Sequence, residues 1–97
     1  MGENETCSWD DRKRAVNIAN HGYDLADLVE VFDGRDLLSR LDARKDYREA
    51  RYNLLAEIRG RVVNITVTPR GALWRLIFAR PASRDERKAY ESRKPKA

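Results

Sequence analysis

The sequence predicts an α+β fold: two N-terminal helices packed on one face of an antiparallel β-meander, closed by a C-terminal helix. Three observations lead to it. Apolar residues recur at helical spacing up to Phe32 and at a period of two from Asp36 onward. Arg59-Gly60 separates two alternating runs as a tight hairpin turn does. The apolar run Leu76-Ile77-Phe78-Ala79 leads through Pro81 into Ser83-Arg84-Asp85-Glu86, which has the spacing of a helix capping box. The 97 residues make one domain, expected to be ordered over about 7–91 with a disordered tail at 92–97.

Taken in order, Cys7-Ser8-Trp9 suits a short strand, and Asp10 an N-cap for a helix over Asp11–Asn20 with an apolar stripe of Ala15, Val16, Ile18 and Ala19. Gly22 stops that helix. Tyr23-Asp24 opens a second, with Leu25, Leu28, Val29 and Phe32 on one side and Gly34 beyond its end. Both helices are one-sided and are expected to lie on the sheet. Leu37–Asp42 reads as an edge strand and Ala43–Glu49 as a charged loop or a frayed strand end. Residues 51–58 and 61–68 then form the hairpin, with Tyr52, Leu54, Ala56 and Ile58 facing Val63, Ile65 and Val67. Thr68-Pro69-Arg70-Gly71 makes the next turn, into the strand 73–80, and Leu76, Ile77 and Phe78 are expected to floor the core. Arg75 and Arg80, an odd number of residues apart, are expected on opposite faces of that strand, with Arg80 unpaired where it leaves the sheet.

Charge is distributed unevenly. Residues 1–56 hold 9 Lys and Arg against 12 Asp and Glu, whereas residues 57–97 hold 11 against 4, within a net charge of +4. A basic C-terminal half is the footprint of a polyanion-binding surface, nucleic acid foremost; a solvated face with a basic tail is the alternative. No run is long enough to span a membrane and the N-terminus lacks the pattern of a secretion signal, so a cytoplasmic location is expected. One cysteine, Cys7, and one histidine, His21, do not make a usual zinc set, and no metal or cofactor is expected.

The candidate chemistry is that of a metal-free ribonuclease. Such an enzyme needs a base for the ribose 2′-hydroxyl, fixed positive charge for the phosphorane and an acid for the leaving oxygen. His21 is either a helix-terminal residue favoured by the dipole or a proton-transfer group. Glu49 is a solvated carboxylate or a general base. Lys13 and Arg80 are candidate phosphate clamps, and Arg51 and Arg75 candidate RNA contacts. Trp9 is a core anchor or a base-stacking platform, and Tyr90 docks the last helix or meets RNA.

Several motifs together resemble one family. Trp9-Asp10, Lys13, Asn17 and His21-Gly22, then Val31-Phe32-Asp33, then Asp42-x-Arg44-x-Asp46-Tyr47-x-Glu49-x-Arg51, and finally Arg75-x-Ile77-x-Ala79-Arg80-x-Ala82, with Glu86-Arg87 and Tyr90, are similar to the BrnT toxins. The resemblance covers residues 9–90. It departs from the usual pattern at Asn20, Arg48 and Phe78, where Lys, Gly and Ser are customary. It implies a RelE-like fold, ribonuclease activity on mRNA that halts translation, and a type II toxin–antitoxin pair. The implied partner is a BrnA-type antitoxin with a ribbon-helix-helix region, in a 2:2 assembly that reaches operator DNA only through the antitoxin. An alternative is a catalytically weakened module that binds the antitoxin and acts mainly as co-repressor.

Overall fold

The computed structural model describes residues 2–42 and 49–93. The loop expected over Ala43–Glu49, apart from Glu49, lies outside the described residues, as do Arg44, Asp46, Tyr47 and Arg48 of the family motif and residues 94–97 of the expected tail. Among the described residues there are six strands: β1 (Gly2–Glu3), β2 (Cys7–Trp9), β3 (Leu37–Leu41), β4 (Tyr52–Ile58), β5 (Arg61–Arg70) and β6 (Leu73–Pro81). Two α-helices, α1 (Asp11–His21) and α2 (Arg84–Arg93), accompany them, so Ser92 and Arg93 are helical and not tail. No helix among them is long and apolar enough to cross a membrane.

The expected architecture needs correction. The sheet is mixed, in the order β1-β2-β6-β5-β4-β3, and not a purely antiparallel meander under two helices. β3 to β6 do run antiparallel, but β2 pairs parallel with β6, Trp9 opposite Leu76, and closes that side of the strand. Cys7 is thereby fully buried, and burial pushes its thiol up to about 11.

The second N-terminal helix does not form. Asp24 accepts the amide of Ala26 and is gripped by Arg14, whose Nε and Nη2 lie 2.6 and 2.8 Å from its two oxygens. These bonds hold the turn that follows α1 in place. Leu25, Leu28 and Val31, three residues apart, all reach the core from turns and a short 3₁₀ helix, Leu28–Phe32, whose period of three matches their spacing. They press on Leu54, Ala56, Val63, Ile65, Val67 and Leu76. Trp74 stacks on Phe32 with centroids 6.5 Å apart and meets Tyr52 edge-on.

α1 forms where expected. Asp10 accepts the amides of Arg12 and Lys13, and Gly22, at φ 76°, ends the helix with its amide on the Ile18 carbonyl. Its apolar stripe, however, is not buried: Asn17 is its one buried residue, while Ala15, Val16, Ile18 and Ala19 are exposed. The helix is held instead by an amide. Asn17 accepts from the Ala79 amide at 2.8 Å and donates to the Tyr23 carbonyl at 2.7 Å, which satisfies the edge of β6 beyond the last residue paired with β2.

At the other end of the chain the capping box is complete. Ser83 Oγ accepts the Glu86 amide, and Glu86 Oε1 accepts the Ser83 amide at 2.8 Å. Tyr90 docks α2 through a small cluster with Leu55 and Ala82, its hydroxyl donating to the Asp36 carbonyl. Arg93 adds an ion pair to Asp36 at 2.6 Å. The hairpin at Arg59-Gly60 has Ile58 opposite Arg61, with both turn residues at positive φ. The following turn falls later than expected, at Gly71-Ala72, because Pro69 and Arg70 remain paired with Trp74 and Leu73.

β6 carries a bulge that changes what faces what. Asn64, Thr66 and Thr68 alternate along one face of β5, and their partners are Arg80, Phe78 and Arg75. Val67 pairs with Leu76, so Ile77 is the extra residue. The extra residue cancels the odd separation, and Arg75 and Arg80 share one face instead of lying on opposite faces. Of the expected core floor, Leu76 belongs to the main core, while Ile77 and Phe78 face the α1 side of the strand.

Candidate nucleic-acid interface

The face of the sheet opposite the core is polar along its middle. β5 contributes Asn64, Thr66 and Thr68, β6 contributes Arg75, Phe78 and Arg80, and β4 contributes Asn53, whose Oδ1 accepts the Thr66 hydroxyl at 3.0 Å. α2 packs near Leu55 and Ala82 and reaches Asn64 and Arg80 through Glu86; Asn64, Thr66 and Thr68 are buried, and Asn53, Arg75, Phe78 and Arg80 are the half-buried residues of this face. Alternation in β5 builds this surface: its apolar phase feeds the core and its polar phase lines the opposite side.

At the end of β5, Thr68 donates to the Ala50 carbonyl at 2.6 Å and so tethers the chain that enters β4. Glu49 sits beside that tether between two guanidinium groups, 3.2 Å from Arg70 and 3.7 Å from Arg51. Arg75, opposite Thr68, belongs to the same end of the face. A carboxylate among arginines is suited to taking a proton while positive charge stays in place for a phosphorane.

Arg80 lies at the other end and is not unpaired. Its Nη1 and Nη2 donate to Glu86 Oε1 and Oε2 at 2.8 and 3.0 Å, a two-pronged bridge from β6 to α2. Asn64 Nδ2 also donates to Glu86, whose side chain is only 16% exposed. The Arg80 guanidinium, first among these contacts, holds the Glu86 carboxyl at about 2, well below its ordinary range. Asn64 Oδ1 is buried and has no hydrogen-bond partner among the described residues.

A third group lies between α1 and β6. Lys13, Val16, Asn20 and His21 of α1, with Arg12 and Asn17, line a cleft of about 300 Å³ whose other wall is Ile77 and Phe78. Two of the three positions that depart from the family pattern, Asn20 and Phe78, therefore meet in one cleft. His21 also borders Arg61 and Pro81, near the start of β5, whereas Glu49 pairs with Arg70 at its end. At about 3.3 Å per residue the two are separated by roughly 30 Å of strand.

The remaining candidates occupy packing positions. Trp9 pairs with Leu76 and packs against the core, with Gly2 so close to its indole that a Cβ there would overlap the ring. Tyr90 is 2% exposed, which leaves no ring face for a base. Asn53, Asn64, Thr66 and Arg70 were not singled out from the sequence. Their signal was the polar phase of the hairpin strands, which reads equally well as a solvated face.

Residues 9–86 match a family model described as the ribonuclease toxins of type II toxin–antitoxin systems. The match runs from Trp9 to Glu86 and includes both ends of the polar face and the α1 cleft. The chain belongs to the BrnT family. Ribonuclease is the activity for which that family is described, and type II membership implies an antitoxin partner. No curated protein matches the chain.

Proposed function

We propose that the chain is a metal-independent endoribonuclease that cuts mRNA and stops translation in the cytoplasm until a BrnA-type antitoxin neutralises it. The observation that supports this reading, besides the family, is the bulge at Ile77, which aligns Arg75 and Arg80 on the polar face that ends at Glu49 and Arg51. Glu49 takes the 2′-hydroxyl proton as the 2′ oxygen attacks phosphorus, Arg51 and Arg75 stabilise the phosphorane, and the P–O5′ bond then breaks with solvent water protonating the leaving 5′ oxygen, which leaves a 2′,3′-cyclic phosphate. Lys13 contacts a flanking phosphate, whereas Arg80, with its fork on Glu86, holds β6 against α2. His21, at the opposite end of β5, acts on the substrate's path and not on the same phosphate as Glu49. The antitoxin completes a 2:2 assembly that reaches operator DNA through its own ribbon-helix-helix region.

Cleavage of RNA by the purified toxin in excess EDTA is the test. Activity should persist, be lost in Glu49→Gln, and be blocked by equimolar antitoxin; strict dependence on added metal overturns the mechanism. The capture of Arg80 by Glu86 favours one alternative, a weakened module that serves mainly as co-repressor. Expression without antitoxin distinguishes them: growth arrest supports the enzyme, unimpeded growth the module.

A further inference from the structure

We infer that the cleft between α1 and β6 is a nucleobase subsite that sets the sequence preference of RNA cleavage. The inference rests on the ribonuclease reading for its substrate, and on the geometry of the cleft for its location.

The cleft exists because β2 and the bulge end together. β2 pairs with β6 only as far as Trp9 opposite Leu76, and the next residue, Ile77, is the bulge. From there the Ala79 amide on the edge of β6 is met by the side chain of Asn17, while the apolar residues of α1 stay exposed. The gap that remains is about 300 Å³, at the lower end of small-molecule sites.

Its lining has two chemistries. Val16, 52% exposed, faces the cleft with Ile77 and the half-buried Phe78, so the walls are apolar and one of them is aromatic. The rim carries the amide of Asn20 and the cations Arg12 and Lys13. A flat apolar ring with a hydrogen-bonding edge and a phosphate attached to it is the ligand that matches all three features. A base stacks on Phe78 and packs on Val16, an amide with both donor and acceptor reads its edge, and the cations take the phosphate.

The cleft is also continuous with the polar face. Phe78 alternates with Arg80 on the side of β6 that carries Arg75, yet it forms a wall of the cleft. It lies three positions from Arg75, about 10 Å along the strand. Single-stranded RNA whose reacting phosphate lies at Arg75 and Glu49 therefore reaches the cleft with a neighbouring nucleotide, its base splayed outward.

The test uses the full-length toxin with a pool of RNAs randomised around the cut, together with NMR of the methyl groups titrated with the four nucleoside monophosphates. Wild-type protein should prefer one base at a fixed position beside the cut, and the monophosphates should shift the Val16 methyl resonances. Val16→Trp fills the cleft from an exposed position; it should melt like wild type and reduce the ratio of preferred to disfavoured sequences by about tenfold, the loss of one stacked base. Asn20→Ala should change which base is preferred. Unchanged preference in both folded variants overturns the subsite. So does a Val16→Trp toxin that cuts with the wild-type pattern but no longer binds antitoxin, since the cleft would then belong to the antitoxin. Monophosphate binding at Val16 in a protein that fails to cut RNA overturns the ribonuclease reading while supporting the nucleotide site.

Discussion

The amide of Ala79 in β6 donates to the side chain of Asn17 in α1 at 2.8 Å, and this one bond takes over an edge that β2 leaves open. Asn17 spends its other group on the Tyr23 carbonyl, so a residue 3% exposed has both ends satisfied. Replacing it removes an acceptor and a donor at once. Asn17→Ala should cost about 2–3 kcal/mol in denaturant unfolding and speed hydrogen exchange at Ala79 selectively. Unaltered exchange there would mean that α1 is held by other contacts.

Arg80 and Glu86 make the second prediction. Arg80→Ala strands a carboxylate that still faces Asn64 and the Ser83 amide, so the melting temperature should fall, by the equivalent of about 2–3 kcal/mol. Arg80→Lys should recover only part of the loss, because an ammonium does not bridge both oxygens. A melting temperature unchanged in the alanine variant would assign Arg80 to binding alone.

The same pair predicts acid sensitivity. An unfolded glutamate titrates near 4.5, and folded Glu86 near about 2. Above 4.5 both states are ionised and the pair's contribution is fully present. Between those values the unfolded chain takes up a proton that the folded protein refuses, so stability declines as pH falls, by up to roughly 3 kcal/mol. Glu86→Gln should flatten the stability–pH curve in that window. An equally steep curve in the variant would place the acid sensitivity at other carboxylates.

Neighbouring residues of β6 should respond differently to truncation. Leu76 is fully buried in the main core, and Leu76→Ala should cost roughly 3–5 kcal/mol. Ile77 sits on the bulge against the α1 cleft, where the surroundings close less tightly. Ile77→Ala should cost less than half as much in the same unfolding experiment, and equal losses would mean that the bulge is absent in solution.

Glu49 separates chemistry from folding. Its ion pairs with Arg70 and Arg51 are partly exposed, so Glu49→Gln should change stability by less than about 1 kcal/mol. Single-turnover cleavage should slow by about 10²–10⁴-fold. A variant that retains full activity would move the proton transfer to another group.

Sequence by itself determined what a few neighbouring residues settle among themselves. Asp10 and the Ser83–Glu86 box cap their helices, Gly22 ends α1, and Arg59-Gly60 turns the hairpin, because each bond closes within about four residues. The alternation of Val63, Ile65 and Val67 fixed one face of β5 for the same reason, and the ordered motifs from Trp9 to Arg80 carried the family. Tertiary structure decided the rest. Cys7–Trp9 found its parallel partner more than sixty residues away, and the motif of three-residue spacing at Leu25, Leu28 and Val31 followed the core into a 3₁₀ helix where a helix of period 3.6 was expected. The bulge at Ile77 turned Arg75 and Arg80 to one side, and a bulge leaves no mark in the strand that carries it because it is created by the register of two strands. Arg80 had two possible fates in the sequence, a phosphate or a carboxylate; only the docking of α2 brought Glu86 within 2.8 Å of it.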